Sequence, residues 1–155
     1  MVPVTPATRY LDLIGIPYHM FEHTQPPISL EEAARQRGQQ PEQVIRSILF
    51  KYHSQDFFLV LMAGPGQIAW RSLRQHLGVS RISMASEEEV LTMTGYPVGA
   101  VTPFGLPQPL RILADESAFR PEEISLGSGV RGLAIIMKPI DLQRALGKVE
   151  IGSFA

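Results

Sequence analysis

The chain has 155 residues, of which 45% are hydrophobic and 19% charged, with a formal net charge of −1. That suits one globular domain able to bury about two thirds of its unfolded surface, and it excludes a protein that coats nucleic acid through a broad basic face. The lack of cysteine excludes disulfides, a thiolate nucleophile and cysteine-held zinc or iron–sulfur clusters.

The first element in chain order is a helix over Pro6–Leu13, with Thr5 as N-cap, Pro6 in the first helical position and Gly15 as the stop. The start lacks the apolar core of a signal peptide, so a cytoplasmic protein is expected. Pro17 to Glu22 reads as extended. Ser29-Leu-Glu-Glu32 and Ser86-Glu-Glu-Glu89 are capping boxes, predicting helices that end at Gly38 and Gly95. Between them, Val44–Tyr52 and Phe57–Met62 are β-rich and joined by Ser54-Gln55-Asp56, a hairpin pattern. The longest apolar run, Phe57 to Ala63, falls far short of the ~20 residues of a membrane span, so no membrane association is expected. A helix over Ala69–Leu77 stops at Gly78. Short strands follow at Leu110–Ala114, Glu123–Leu126 and Leu133–Met137, then a helix over Pro139–Leu146 closed by Gly147. Hairpins mixed with helical crossovers predict a single α/β (α+β) domain over 1–155, with a mixed, mostly antiparallel sheet and helices packed around it. There is no internal repeat and no linker.

The segment Gly95-Tyr-Pro-Val-Gly99-Ala-Val-Thr-Pro103-Phe-Gly105 concentrates glycine and proline in one loop. Pro97 and Pro103 carry no donor, so free N–H groups are expected on Val98, Gly99, Ala100, Val101 and Thr102, a set able to bind oxygen atoms. Gly127-Ser-Gly129-Val-Arg-Gly132 satisfies the dinucleotide pattern GxGxxG, but the strand Leu133–Met137 follows it where a helix N-terminus is required. A Gly-rich turn, or a substrate-lining loop presenting Ser128 and Arg131, remains. Asp115 ends a β-rich segment, where it either caps a turn or meets a site. The four histidines, at 19, 23, 53 and 76, form no recognised metal spacing and read as structural or solvated, so neither metal nor cofactor is expected. No GxSxG elbow is present. Arg71 and Arg74 share a helix face that reads as solvated or, alternatively, as a contact for RNA backbone.

Taken in order, six segments resemble blocks of the YbaK/EbsC family, which includes the inserted editing domain of bacterial prolyl-tRNA synthetases. They are Leu13-Ile-Gly-Ile-Pro-Tyr18, Glu31-Glu-Ala-Ala34, Gln43-Val-Ile-Arg-Ser-Ile48, Thr94 to Gly105, Ala114-Asp-Glu-Ser-Ala118 and Gly127 to Gly132. The resemblance implies a YbaK-like fold and a trans-editing deacylase that hydrolyses the ester of a mischarged tRNA, without metal and with help from the substrate's ribose hydroxyl. It implies the 3′ acceptor end of tRNA as partner, leaves room for an aminoacyl-tRNA synthetase, and gives no reason to expect DNA. The family's lysine is Arg46 here, and arginine keeps the charge while being unable to act as a neutral base. Lys51 is no substitute, because an odd separation along one strand puts the two on opposite faces. The implied site comprises Arg46, Gly99, Ala100 and Val101 for catalysis, with Thr102, Pro103, Asp115, Ser128, Gly129 and Arg131 binding the substrate. A non-catalytic member that binds tRNA ends, a synthetase or a small aminoacyl ligand is the alternative.

Overall fold

A computed structural model describes residues 2–155. The helices are α1 (Pro6–Leu13), α2 (Leu30–Gln36), α3 (Trp70–Leu77), α4 (Glu87–Thr94) and α5 (Pro139–Leu146). The strands are β1 (His19–Glu22), β2 (Ile45–Lys51), β3 (Phe57–Ala63), β4 (Ser83–Met84), β5 (Arg111–Asp115), β6 (Ile124–Gly127), β7 (Leu133–Met137) and β8 (Glu150–Gly152). Local chemistry explains most of the ends. The Thr5 hydroxyl accepts from the Thr8 amide and the Thr8 hydroxyl from the Thr5 amide, closing the start of α1. Ser86 and Glu89 form the full reciprocal box at α4. The box expected at Ser29 forms only half. Ser29 caps the Glu32 amide at 3.0 Å, but the Glu32 carboxylate accepts from the Gln36 side chain, one turn on, instead.

The strands divide into two sheets rather than the single sheet expected: an antiparallel β1-β7-β6 and a mixed β4-β2-β3-β5-β8. Mostly antiparallel pairing holds, since only β3–β5 and β5–β8 run parallel between named strands. β3 is central in the larger sheet and covered on both faces, which is why it reads as one continuous apolar run. Its alternate residues serve different cores. Leu59 and Leu61 join Ile45, Leu49, Leu126 and Ile135 between the two sheets, while Phe58, Val60 and Met62 meet Leu73 of α3 and Phe154 on the far side. α1 adds Ala7 and Leu11 to the first core, and its Tyr10 ring stacks on Phe104 with centroids 6.3 Å apart. A Cβ on Gly105 would overlap the Pro6 carbonyl, so that loop touches the start of α1 backbone to backbone. Among the described residues, no helix is long and apolar enough to cross a membrane.

β4 and β8 were not expected from sequence, being too short to show a period. β8 is held by a side-chain clasp: Glu150 accepts from Arg111 Nε at 2.6 Å and Nη2 at 2.8 Å, and its Oε1 lies 2.9 Å from His76 Nε2. The Arg111 fork holds the Glu150 carboxyl down at about 2, against an ordinary 4.5. A carboxylate held low stabilises the fold above the pKa of the unfolded chain, and that contribution is lost as pH falls toward the folded value. Glu150→Gln should therefore melt earlier than the parent at pH 7, by a small margin because the cluster is part-exposed, and the margin should vanish near pH 2. Thermal melts of both proteins at the two pH values check this.

Candidate active site

β2 has a gap in its pairing. On the side away from β3 it bridges β6 at Val44–Ser125 and pairs with β4 only at Phe50 and Lys51. The edge between those points borders a cavity of about 930 Å³. An open edge exposes both faces of a strand, so Arg46 and Ile48 reach the cavity from one face and Ile45 and Ser47 from the other. The opposite walls come from the Thr24–Leu30 segment, the start of α2, the β6–β7 turn and the loop around Gly99.

Two Gly-rich segments distant in sequence are stitched into one wall. Gly95 closes α4 at a φ of +79°, and the buried Tyr96 hydroxyl donates to Phe104 O at 2.6 Å, fixing the span of the loop. The Gly129 amide donates to Ala100 O at 2.9 Å, and Arg131 donates to Val98 O through Nε at 3.0 Å and Nη2 at 2.8 Å. Gly127 passes so close that a Cβ there would overlap the Val101 carbonyl oxygen.

Of the residues expected at the site, Arg46, Gly99, Val101 and Arg131 line this cavity together. The rest stand behind it or elsewhere. The Ala100 amide is engaged in a turn to Pro97 O at 3.0 Å, so it is not a free donor as expected, and its side chain is buried. Thr102 and Pro103 are buried, and Thr102 Oγ1 has no hydrogen-bond partner. Asp115 is 2% exposed at the end of β5. It accepts from the Ser117 amide and hydroxyl and, through Oδ1, from the Phe154 amide at 2.6 Å. Its work is to turn the chain and tether the C-terminal segment, and it does not line the cavity. The buried Ser128 hydroxyl donates to Leu133 O at 2.8 Å, and Gly129 packs under the Tyr96 ring. Both hold the β6–β7 turn. Lys51 lies on the opposite face of β2 from Arg46, paired with Glu89 at 2.8 Å, in keeping with the odd separation.

The cavity is electropositive. Arg46 is half-buried, donates to Gly66 O through Nη2 and leaves Nε buried without a partner. Burial lowers its pKa from the ordinary arginine value. Arg37 is buried more deeply, which pushes it down to about 10, still cationic near neutral pH. It donates through Nε to His23 Nε2 at 3.1 Å and through Nη1 to Ser125 Oγ at 2.9 Å. An acceptor at Nε2 requires the His23 proton to sit on Nδ1, which is 2.6 Å from Gln36 Oε1. The accepting nitrogen of His23 is thus already taken by Arg37. No aspartate or glutamate lines the cavity, and among the described residues no group of three His, Asp or Glu side chains could hold a metal. Ser47 adds a buried hydroxyl with no partner. His23, Arg37 and Ser47 escaped the sequence reading because only their meeting, from the end of β1, the end of α2 and β2, marks them.

Residues 25–145 match the model of the aminoacyl-tRNA editing domain. The chain belongs to that family. The uncharacterized protein YwhH of Bacillus subtilis is 31% identical over 114 residues, 74% of this chain and 72% of that one. The multifunctional Ser/Thr-tRNA deacylase ProXp-y of Escherichia coli is 34% identical over 97 residues, 62% of this chain and 58% of the deacylase, so the match spans less than two thirds of that relative. A crystal structure described as a candidate trans-editing enzyme for prolyl tRNA synthetase superposes with a TM-score of 0.87 at 22% identity, covering 98% of each chain, and establishes the likeness of fold. The matched span of the editing domain begins just after His23 and Thr24, so both stand outside it while facing the same cavity.

Proposed function

We propose that this editing domain is an aminoacyl-tRNA deacylase acting in trans in the cytoplasm, hydrolysing the ester between a wrongly attached amino acid and the 3′ acceptor end of its tRNA. The observation that carries the reading is a cavity walled by a stitched glycine loop and lined by arginines without a single carboxylate. Such a wall suits an ester next to phosphates, where charge develops on the carbonyl oxygen and anionic oxygens must be held nearby. Arg46 grips the terminal phosphate or ribose. The amides of Gly99 and Val101, on either side of the one used in the turn, face the developing oxyanion. With His23 occupied by Arg37, water is activated by the substrate's own ribose hydroxyl, and no metal takes part.

The partnerless Ser47 hydroxyl and the spare donors of Arg37 suit an amino acid with a hydroxyl side chain, which accords with the activity named for ProXp-y. A panel of mischarged tRNAs, with seryl and threonyl esters included, should show amino-acid release from at least one member, unchanged in excess chelator. Binding of tRNA without release from any member would make the domain a non-catalytic binder. Release abolished by chelation and restored by zinc would overturn the metal-free mechanism.

A further inference from the structure

The charge of this chain is unevenly placed. Residues 57–86 contain no aspartate or glutamate, yet they carry Arg71, Arg74 and Arg81 in a protein of net charge −1. Among the described residues none of these three arginines is in an ion pair, whereas other arginines are matched with carboxylates. Arg74 from α3 and Arg81 before β4 converge on a second cleft of about 450 Å³, at the end of the β2–β3 hairpin, with Lys51 and Tyr52 on its other side. Two acids that contact residues of the cleft are already engaged: Glu89 by Lys51 and Asp56 by His53, each at 2.8 Å.

The helix that carries Arg74 also carries the only tryptophan in the chain. Trp70 opens α3 and is 38% exposed, one turn before Arg74. Its ring meets Phe50 at 84° with centroids 5.2 Å apart, and Phe50 in turn stacks on Phe58, so the indole rests on a rigid aromatic base. Phe50 and Arg46 lie on the same face of β2. Their four-residue separation is about 13 Å, a span that a short single strand bridges. The Gly66 carbonyl that holds Arg46 belongs to the turn leading into α3. The cavity rim and the arginine face are therefore neighbours on one side of the larger sheet.

We propose that the RNA strand leaves the cavity over this face, stacking a base on Trp70 and laying successive phosphates on Arg74 and Arg81. The assignment rests on the tRNA reading of the cavity. An exposed indole offers a stacking surface to any base, and unpaired guanidinium groups take phosphate oxygens bidentately, so the contact is sequence-independent and strongly salt-sensitive. It would serve many tRNAs alike and leave discrimination to the cavity.

The test uses uncharged tRNA, so its outcome does not depend on hydrolysis. Titration should quench the tryptophan fluorescence saturably, and Trp70→Leu should weaken binding about fivefold or more while Trp70→Phe, which keeps a stacking ring, retains most of the affinity. Arg74→Gln combined with Arg81→Gln, both part- or fully exposed and tolerable to the fold, should raise Kd at least tenfold and lower the slope of log K against log salt by about 1–2. Melting curves confirm that each variant is folded. Unchanged affinity and salt slope in the folded double variant, or tRNA binding that leaves the Trp70 emission untouched, would overturn the proposal. A protein that binds tRNA through these residues and hydrolyses none upholds this surface and overturns only the catalytic reading.

Discussion

Replacing Arg46 by alanine is expected to cut kcat/KM for deacylation by about 10- to 150-fold, the range of a charge-assisted hydrogen bond worth ~1.5–3 kcal/mol. The loss should include a raised KM, because the side chain is assigned to the RNA end and not to the scissile carbonyl alone. Arg46→Lys should recover much of the activity. Its ammonium keeps the charge at the open edge of β2 but cannot match the guanidinium fork that now reaches Gly66 O. Melting temperatures recorded alongside the kinetics separate the substrate role from the tie to Gly66: an alanine variant that melts early yet hydrolyses at the parental rate would reduce Arg46 to a structural clip. A parent that binds tRNA ends without turnover, and gains turnover on Arg46→Lys, would mark the arginine as the sign of lost catalysis.

The second large effect is expected from a single methyl group. Gly127→Ala places a Cβ on the carbonyl oxygen of Val101, which is backbone and cannot swing aside. The two stitched loops must separate, at a cost of about 1–3 kcal/mol for overpacking and a drop in melting temperature of roughly 2–4 °C per kcal/mol in a domain of this size. Activity should suffer more than stability. A shift of about 1 Å in a group that positions a reacting centre costs on the order of a hundredfold, and the Val101 amide is itself one of the proposed oxyanion donors. Paired measurement of melting temperature and kcat/KM decides the matter: early melting with undiminished turnover would remove this wall from the chemistry.

What the sequence revealed and what it hid divide along one physical line. Caps are local, and so the ends of α1, α3, α4 and α5 could be read from Thr5, Gly78, Ser86, Gly95 and Pro139. β4 and β8 exist only because β2 and β5 recruit them, and two or three residues carry no period to read. The same holds at the cavity. Gly99, Val101 and Arg131 were legible as a glycine loop and a polar turn residue, and Arg46 only through the family resemblance; all four line the cavity. The engagement of the Ala100 amide was not, since it depends on which way one peptide faces in a turn. Asp115 illustrates the limit: its position at a strand end was evident, but the donor it accepts from, the Phe154 amide, lies 39 positions away along the chain. The His23–Arg37–Ser125 relay was equally hidden, because nothing in a histidine six residues before a capping serine announces that an arginine will occupy its nitrogen.

The footing of the Gly99 loop lies outside the span that defines the family. Tyr10 stacks beneath Phe104, and Gly105 rests against the Pro6 carbonyl, so α1 props the far end of the loop, while β1 covers one edge of β7. A piece trimmed to residues 25–145 would keep every glycine of the loop and lose both supports, along with His23. Anyone moving this module into a longer chain, or exchanging it with another, therefore has to carry residues 2–24 as part of the active unit.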